Sequence, residues 1–247
     1  LLILTLLVLL LVSEKINIAG CEDCPSLGES IFCSLKHELL KEVSDKKGEN
    51  QYQKGEIIFS EGFKPFGIHC VSKGKVKIYK LGADGKDQIV RVAKVGDVIG
   101  HRSLVSDEPY SASAEALEET QTCFLPRKTF FDLNEQENEF ALKVMKVLSK
   151  DLRLAESQSM SIAQRTVKER MANVLLSKKD ILEEQEGKVL MSFTISRKDL
   201  ADLIGCAPET IIRMLSQLKK DGIIALNKRE VEILDQVKLF KLAHKYR

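Results

Sequence analysis

Apolar and polar positions change period twice along the chain. Residues 55–59, 68–71, 76–79, 89–92, 98–100, 112–117 and 122–125 are short runs of β-branched and apolar residues broken by glycine. Many short strands at this spacing predict a small antiparallel barrel or jelly roll. Ser72-Lys73-Gly74-Lys75 and Gly82-Ala83-Asp84-Gly85 each read as a hairpin turn. A short helix is predicted before the strands, over 37–46, with Leu39, Leu40 and Val43 on one face. From about Asn134 the period becomes helical. Met145, Leu148, Leu152, Ala155, Ser159 and Ile162 recur at steps of three and four, the a/d seam of a coiled coil, with no charged residue in it.

The pattern changes again after a hinge at Arg165-Thr166. A helix is predicted from Val167 to about Leu182, with Val167, Met171, Val174 and Leu175 inward, and then a solvated acidic loop over 183–187. A strand follows at Phe193-Thr194-Ile195, and Ser196 is placed to cap the next helix. That helix, from Arg197 to Ile204, carries Leu200, Leu203 and Ile204 on one side and ends at Gly205. Pro208 suits the first turn of a second helix, which buries Ile211, Met214, Leu215 and Leu218. Its other face shows Glu209, Thr210, Ile212, Arg213, Ser216, Gln217, Lys219 and Lys220. Two strands, 222–226 and 230–234, flank the basic turn Asn227-Lys228-Arg229, and a closing helix is predicted over 236–244. Short helix, glycine turn, polar helix and basic-tipped hairpin together predict a winged helix-turn-helix that reads double-stranded DNA.

This stretch resembles the DNA-binding domain of the catabolite activator/fumarate–nitrate regulator (CRP/FNR) family, whose recognition helix has the form E-T/S-x-x-R. Glu209-Thr210-Ile211-Ile212-Arg213 matches it. Upstream, KGEIIFSEG and VGDVIG are similar to the opening strand and pre-pocket turn of the family's cyclic-nucleotide-binding-type β-roll. The resemblance implies an α+β chain. Residues 1–20 are an apolar extension, 21–133 a cysteine loop and β-roll sensor, 134–165 a dimerisation helix, and 166–247 a winged-helix domain. It further implies a homodimer that reads an inverted repeat of TGA-like half-sites and works with RNA polymerase. In that reading Glu209, Ile212 and Arg213 face base edges, with Arg213 on guanine and Glu209 on a cytosine amino group. Ser196, Arg197, Thr210, Ser216, Lys219, Lys228 and Arg229 hold phosphates.

The net charge is only +2, so DNA binding rests on local clustering of Lys219, Lys220, Lys228 and Arg229 rather than on bulk charge. No dinucleotide-binding, P-loop, nucleophile-elbow or zinc-protease motif occurs, and nothing points to catalysis. Residues 1–12 are almost wholly apolar but fall short of the ~20 a membrane-spanning helix needs. They are read as lying upstream of the true start, in a cytoplasmic protein with no membrane partner. The competing reading is the stub of a membrane anchor that tethers a cyclic-nucleotide-type sensor.

The sensor's effector is the open question. Cyclic-nucleotide-binding members of the family carry a glutamate for the ribose and an arginine for the phosphate. Those positions are here His101 and Tyr110, so cAMP is not the expected ligand. The oxygen-sensing branch instead binds an iron–sulfur cluster through an N-terminal cysteine group and a cysteine late in the roll. Cys21, Cys24, Cys33 and Cys123 correspond, with a gap before Cys33 longer than in that branch. Zinc on the same four thiols, or a ligand-free regulator, is the alternative. Cys70 and Cys206 are expected to be buried and inert.

Overall fold

The computed structural model describes residues 20–82, 85–177, 182–185, 188–192, 196–227 and 230–244. Expectations for the N-terminal extension up to residue 19, for the strand at 193–195 and for Lys228 and Arg229 lie outside the described residues.

After two 3-10 turns, Cys21–Asp23 and Leu27–Glu29, helix α1 (His37–Lys46) leads into a roll of two four-stranded antiparallel sheets. The first has the order β1-β8-β3-β6, from strands Gly48–Tyr52, Thr120–Pro126, Gly67–Lys73 and Val98–Ile99. The second is β2-β7-β4-β5, from Ile57–Phe59, Ser113–Ala116, Val76–Leu81 and Asp87–Ala93. Strand alternation divides β3 between two cores. Val71 joins Val76, Ile78, Ala93, Ile99 and Ala114 inside the roll. Ile68 and Cys70 point the other way, into a cluster with Phe32, Leu125, Phe130 and Phe140.

The hairpin expected at residues 72–75 is not one. β3 and β4 lie in different sheets, and the chain crosses between them at Gly74. Gly74 has φ +83°, and a Cβ there would stand 2.5 Å from the Glu119 carbonyl oxygen. Because β3 is covered on both faces, its pattern carries no sign of which neighbour it pairs with. β4 does pair antiparallel with β5, the next strand in the chain.

A helix unforeseen in the sequence, α2 (His101–Ser106), starts after Gly100. The helical region then divides at Glu137 into α3 (Arg127–Gln136) and the 27-residue α4 (Asn138–Gln164). Helix α5 (Val167–Ser177) is described five residues short of Leu182, which instead begins strand β9 (Leu182–Gln185). Glu183, Glu184 and Gln185 of the expected loop are thus strand, at one edge of a sheet ordered β11-β12-β10-β9, with β10 at Lys188–Ser192, β11 at Ile224–Asn227 and β12 at Glu230–Ile233. Charged sequence is what discourages another chain from pairing with such an edge.

The helix pair forms as its residues predict. Helix α6 (Arg197–Ile204) opens on a capping box: Ser196 Oγ accepts from the Asp199 N–H, and the Asp199 carboxylate accepts from the Ser196 N–H. Gly205, at φ 75°, ends it. Helix α7 (Pro208–Lys220) buries Ile211, Leu215 and Leu218, with Met214 half-buried, against Leu200, Ile204, Leu175, Val231 and Leu239 of the closing helix α8 (Gln236–Ala243).

This unit packs on the roll. Leu117 lies in its core and Val92 packs against it. The Lys77 ammonium stands 2.9 Å from Glu115 and 3.2 Å from Asp199, all three largely buried. Burial by itself would lower the Lys77 pKa, but the two carboxylates hold it above its ordinary value. Burial would raise Asp199, yet Ser196 and Lys77 hold it below. The pair's contribution is therefore lost as pH falls through the depressed Asp199 value, below about 4, and again as it rises past about 10.4 through the raised Lys77 value. Removing one partner leaves buried charge uncompensated. Lys77→Ala should cost about 3 kcal/mol in urea unfolding at pH 7. Lys73→Ala, which breaks the exposed pair with Glu119, should cost under ~1 kcal/mol. Equal losses would show that the buried triad has no special weight.

Candidate functional site

Three places hold the residues singled out in the sequence. The first is the outer face of α7. The apolar stripe of this helix is spent on the core, so Glu209, Ile212, Arg213, Ser216 and Lys219 face solvent. Ile212 is 54% exposed although apolar. Among the described residues Glu209 and Arg213 make no ion pair with one another, so the i, i+4 pairing that their spacing allows is not formed. Thr210 is half-buried, and Ser216 donates from Oγ to the Ile212 carbonyl. Ser196 is occupied by its capping box and Arg197 is half-buried. The side chains of this face that are exposed and not engaged in these contacts include Glu209, Ile212, Arg213 and Lys219.

The second place is the cysteine segment. Cys70 and Cys123 are directly opposite in the antiparallel register of β3 and β8, so both side chains leave the sheet on one face. The 3-10 turn sets Cys21 and Cys24 over that face, and the Cys21 N–H donates to Ser44 Oγ at 3.3 Å. These four thiols line one cavity of about 40 Å³ with Phe32, Leu125 and Lys47. Burial raises the Cys21 and Cys123 thiols, and Lys47 opposes it. Burial and then Cys123, Cys21 and Cys24 push Cys70 well above the ordinary thiol value. Cys33 is half-exposed and does not line the cavity. Cys21, Cys24 and Cys123 of the four expected ligands thus border one cavity, and Cys33 does not. Cys206 is half-buried in the turn between α6 and α7.

An iron–sulfur centre can be tested against this arrangement. Among the described residues no three His, Cys, Asp or Glu side chains converge closely enough to hold a single metal ion. Zinc requires its sulfurs about 2.3 Å from one point. Cys21, Cys24, Cys70 and Cys123 border the one cavity, and a cluster held there would draw thiolate ligands from among them. His37 lies outside this cavity, exposed and 3.2 Å from Glu22. His69 shares a hydrogen bond with Thr122 and is lowered to about 4 by burial.

The third place is a cavity of about 590 Å³ between the roll and α4, bordered by His101, Arg102, Tyr110, Asp151 and Ile162 among others. Tyr110 stacks on Phe59 with ring centroids 4.0 Å apart, and burial raises its hydroxyl to about 12. An aromatic pair thus fills the place where a phosphate-binding cation would be needed. Arg91 is committed to Asp151 at 2.9 Å and Asp97 at 3.5 Å, and Arg102 borders the same cavity. Along α4, Met145, Leu152 and Ile162 are each at least half exposed, Ala155 and Ser159 are exposed, and Leu148 is partly covered by the roll. No helix among the described residues is long and apolar enough to cross a membrane.

Comparison with known proteins matches both halves of this architecture. Residues 49–137 match the cyclic nucleotide-binding domain family and residues 169–242 the Crp-like helix-turn-helix domain family. The chain belongs to the CRP/FNR family. Like its CRP/FNR relatives it is a DNA-binding transcription regulator and not an enzyme. It is 28% identical over 230 residues to the transcriptional activator protein anr of Pseudomonas aeruginosa, covering 91% of this chain and 93% of that one. It is 24% identical over 228 residues to the fumarate and nitrate reduction regulatory protein of Vibrio cholerae, covering 90% of each. The structure of FixK2 from Bradyrhizobium japonicum superposes with a TM-score of 0.72 at 29% identity, over 79% of this chain and 96% of that one.

Sequence reading missed the residue that ties this CRP/FNR roll to its long helix. Asp151 of α4 lies 2.9 Å from Arg91 of β5 and 3.2 Å from Nε2 of buried His101. A charged residue one position before Leu152 of an apolar seam was the available signal. Burial would raise the Asp151 carboxyl, but His101 and Arg91 hold it below its ordinary value. Its stabilisation is present above pH ~4 and lost as pH falls through the folded value. Asp151→Asn should lower stability by about 3 kcal/mol at neutral pH. Its urea midpoint should also change less than wild type between about pH 7 and pH 3. A variant with the wild-type acid profile would mean that Asp151 is not the titrating group.

Proposed function

We propose that the protein is a homodimeric CRP/FNR-type regulator. It reads an inverted repeat with TGA-like half-sites, and its roll senses redox state through an iron–sulfur cluster. The observation that carries the DNA-reading part is the open, unpaired Glu209–Ile212–Arg213 face of α7. The guanidinium fork of Arg213 matches guanine O6 and N7, and Glu209 accepts from a cytosine amino group. Ile212 offers apolar contact, as to a thymine methyl. Lys219, Ser196, Arg197, Thr210 and Ser216 would contact phosphates, as would Lys228 and Arg229. The division at residues 21–133, 134–165 and 166–247 separates sensing, dimerisation and reading, in a cytoplasmic protein that acts on RNA polymerase.

Dimerisation follows from α4. A solvated band of Met145, Leu152 and Ile162 on one long helix is stabilised when a second copy covers it. The sensing part rests on Cys21, Cys24 and Cys123, gathered at one cavity. A cluster held there supplies oxygen-sensitive redox chemistry when bound. The chain's own residues hold it, exclude water through Phe32 and Leu125, and set a cation, Lys47, beside the thiols.

Two measurements test this. Leu152→Glu places like charges face to face across the seam, and the variant should sediment as a monomer. A dimer would move the interface elsewhere. Arg213→Ala should weaken a selected site by ~1–3 kcal/mol and flatten preference at one base pair, whereas Lys219→Ala should weaken all sequences alike and lower the salt slope by about one. Equal loss on specific and random DNA in Arg213→Ala would remove the base-contact assignment.

A further inference from the structure

One guanidinium spans the bend between the long helix α4 and the reading unit. Arg170, in the first turn of α5, donates to three backbone carbonyls: from Nη1 to Arg165 at 2.8 Å, from Nε to Ile204 at 2.9 Å and from Nη2 to Gly205 at 3.2 Å. We infer that Arg170 is a positioning residue for DNA reading, which fixes the angle between α4 and α7 and with it the half-site spacing that the dimer accepts. This rests on the homodimer and inverted-repeat reading above and adds the residue that sets its geometry.

The three acceptors belong to the two ends that have to be joined. Arg165 is the extended residue that caps α4, so its carbonyl stands outside the helix ladder. Ile204 is the last residue of α6 and Gly205 its left-handed cap, and the N–H groups of Gly205 and Cys206 both go to Ala201. The Ile204 and Gly205 carbonyls therefore lie past the last of these bonds, at a helix end that favours a cation. The base of the clasp is itself fixed. Glu169 Oε2 accepts from the Thr166 N–H at 2.7 Å, and Thr166 Oγ1 accepts from the Glu169 N–H at 3.3 Å, a capping box that starts α5 directly after the α4 cap. A guanidinium presents its donors in one rigid plane, so carbonyls that share it cannot turn independently of one another.

The consequence for reading follows from packing. Ile204 shares one core with Ile211 and Leu215, so the end of α6 carries α7 with it. The start of α6 is seated on the roll through Asp199, and Arg170 holds its other end to α4. In a dimer joined through α4, the separation of the two α7 helices depends on the angle at this joint. The recognition helices of such a dimer read half-sites at a fixed helical spacing. One base pair more or less moves a half-site by about 3.4 Å and about a tenth of a turn, and a joint held at three points resists that change. Base preference within a half-site belongs to the outer face of α7 and does not pass through Arg170.

The test uses a site selected from random DNA by the wild-type chain, and copies of it with one base pair added or removed between the half-sites. Affinities for the selected and respaced sites are measured on the same preparation of wild type, Arg170→Lys and Arg170→Gln, with circular dichroism as a check on folding. Loss of folded protein cancels from the ratio of the two affinities, so a merely structural role leaves that ratio unchanged. In both variants the preference for the selected spacing should fall about tenfold, the weight of one hydrogen bond to a charged group, while base preference within the half-site stays as in wild type. Lysine keeps the charge but brings a single nitrogen to three carbonyls, so a wild-type ratio in either folded variant overturns the assignment and leaves the dimer reading standing. If neither variant folds, Arg170 serves the fold alone and the assignment falls as well. Wild type that selects no inverted repeat would remove the dimer reading itself, and this assignment with it.

Discussion

Phe140 is where the parts of the sensor meet. It is fully buried at the start of α4, stacked on Phe32 of the cysteine segment and set edge-on to Phe130 of α3, 5.8 Å away between centroids. Aromatic pairs at these separations add to simple burial, and side chains in a close-packed interior transmit strain to their neighbours. The cysteine segment, the roll and the long helix therefore share one core. Whatever displaces Phe32 is felt at the first turn of α4. The cysteine segment lies on one side of that ring and the long exposed helix on the other, so the two are joined by direct packing.

The same helix is tied a second time, further along, by charge instead of packing. Asp151 brings together Arg91 from β5 and His101 from the start of α2. The DNA-reading unit is then tied to the roll by Lys77, shared between Glu115 and Asp199. Buried ion pairs add little net stability over apolar substitutes, but they are demanding about geometry. Both sit at joints between parts of the molecule, where an alternative packing has to be disfavoured. Asp199 also closes the capping box of α6, so the start of the first reading helix and its seat on the roll depend on one carboxylate.

The large cavity between roll and α4 is bordered by a stacked Tyr110–Phe59 pair and a His101–Asp151 contact. The smaller cysteine cavity lies on the outer face of the first sheet, where Cys70 and Cys123 are register partners.

Much of this was legible in the sequence because it depends on local rules. The helix pair follows from a capping serine, a glycine that takes a left-handed turn, a proline at a first helical position and a stripe of Leu200, Ile204, Ile211 and Leu215. All of these act within a few residues of one another. The exposed Glu209–Arg213 face follows as the remainder of that stripe. The strands of the roll follow from period two and glycine spacing. What only the tertiary structure decided is which distant residues become neighbours. A strand covered on both faces, as β3 is, has no polar side to announce its partner, so the sequence suggested a hairpin with β4 where the fold pairs it with β8. That same pairing brings Cys70 against Cys123 across 53 positions of chain. Asp151 and Lys77 were illegible for the same reason. A charge reads as solvated until its partners, contributed by other elements, close around it.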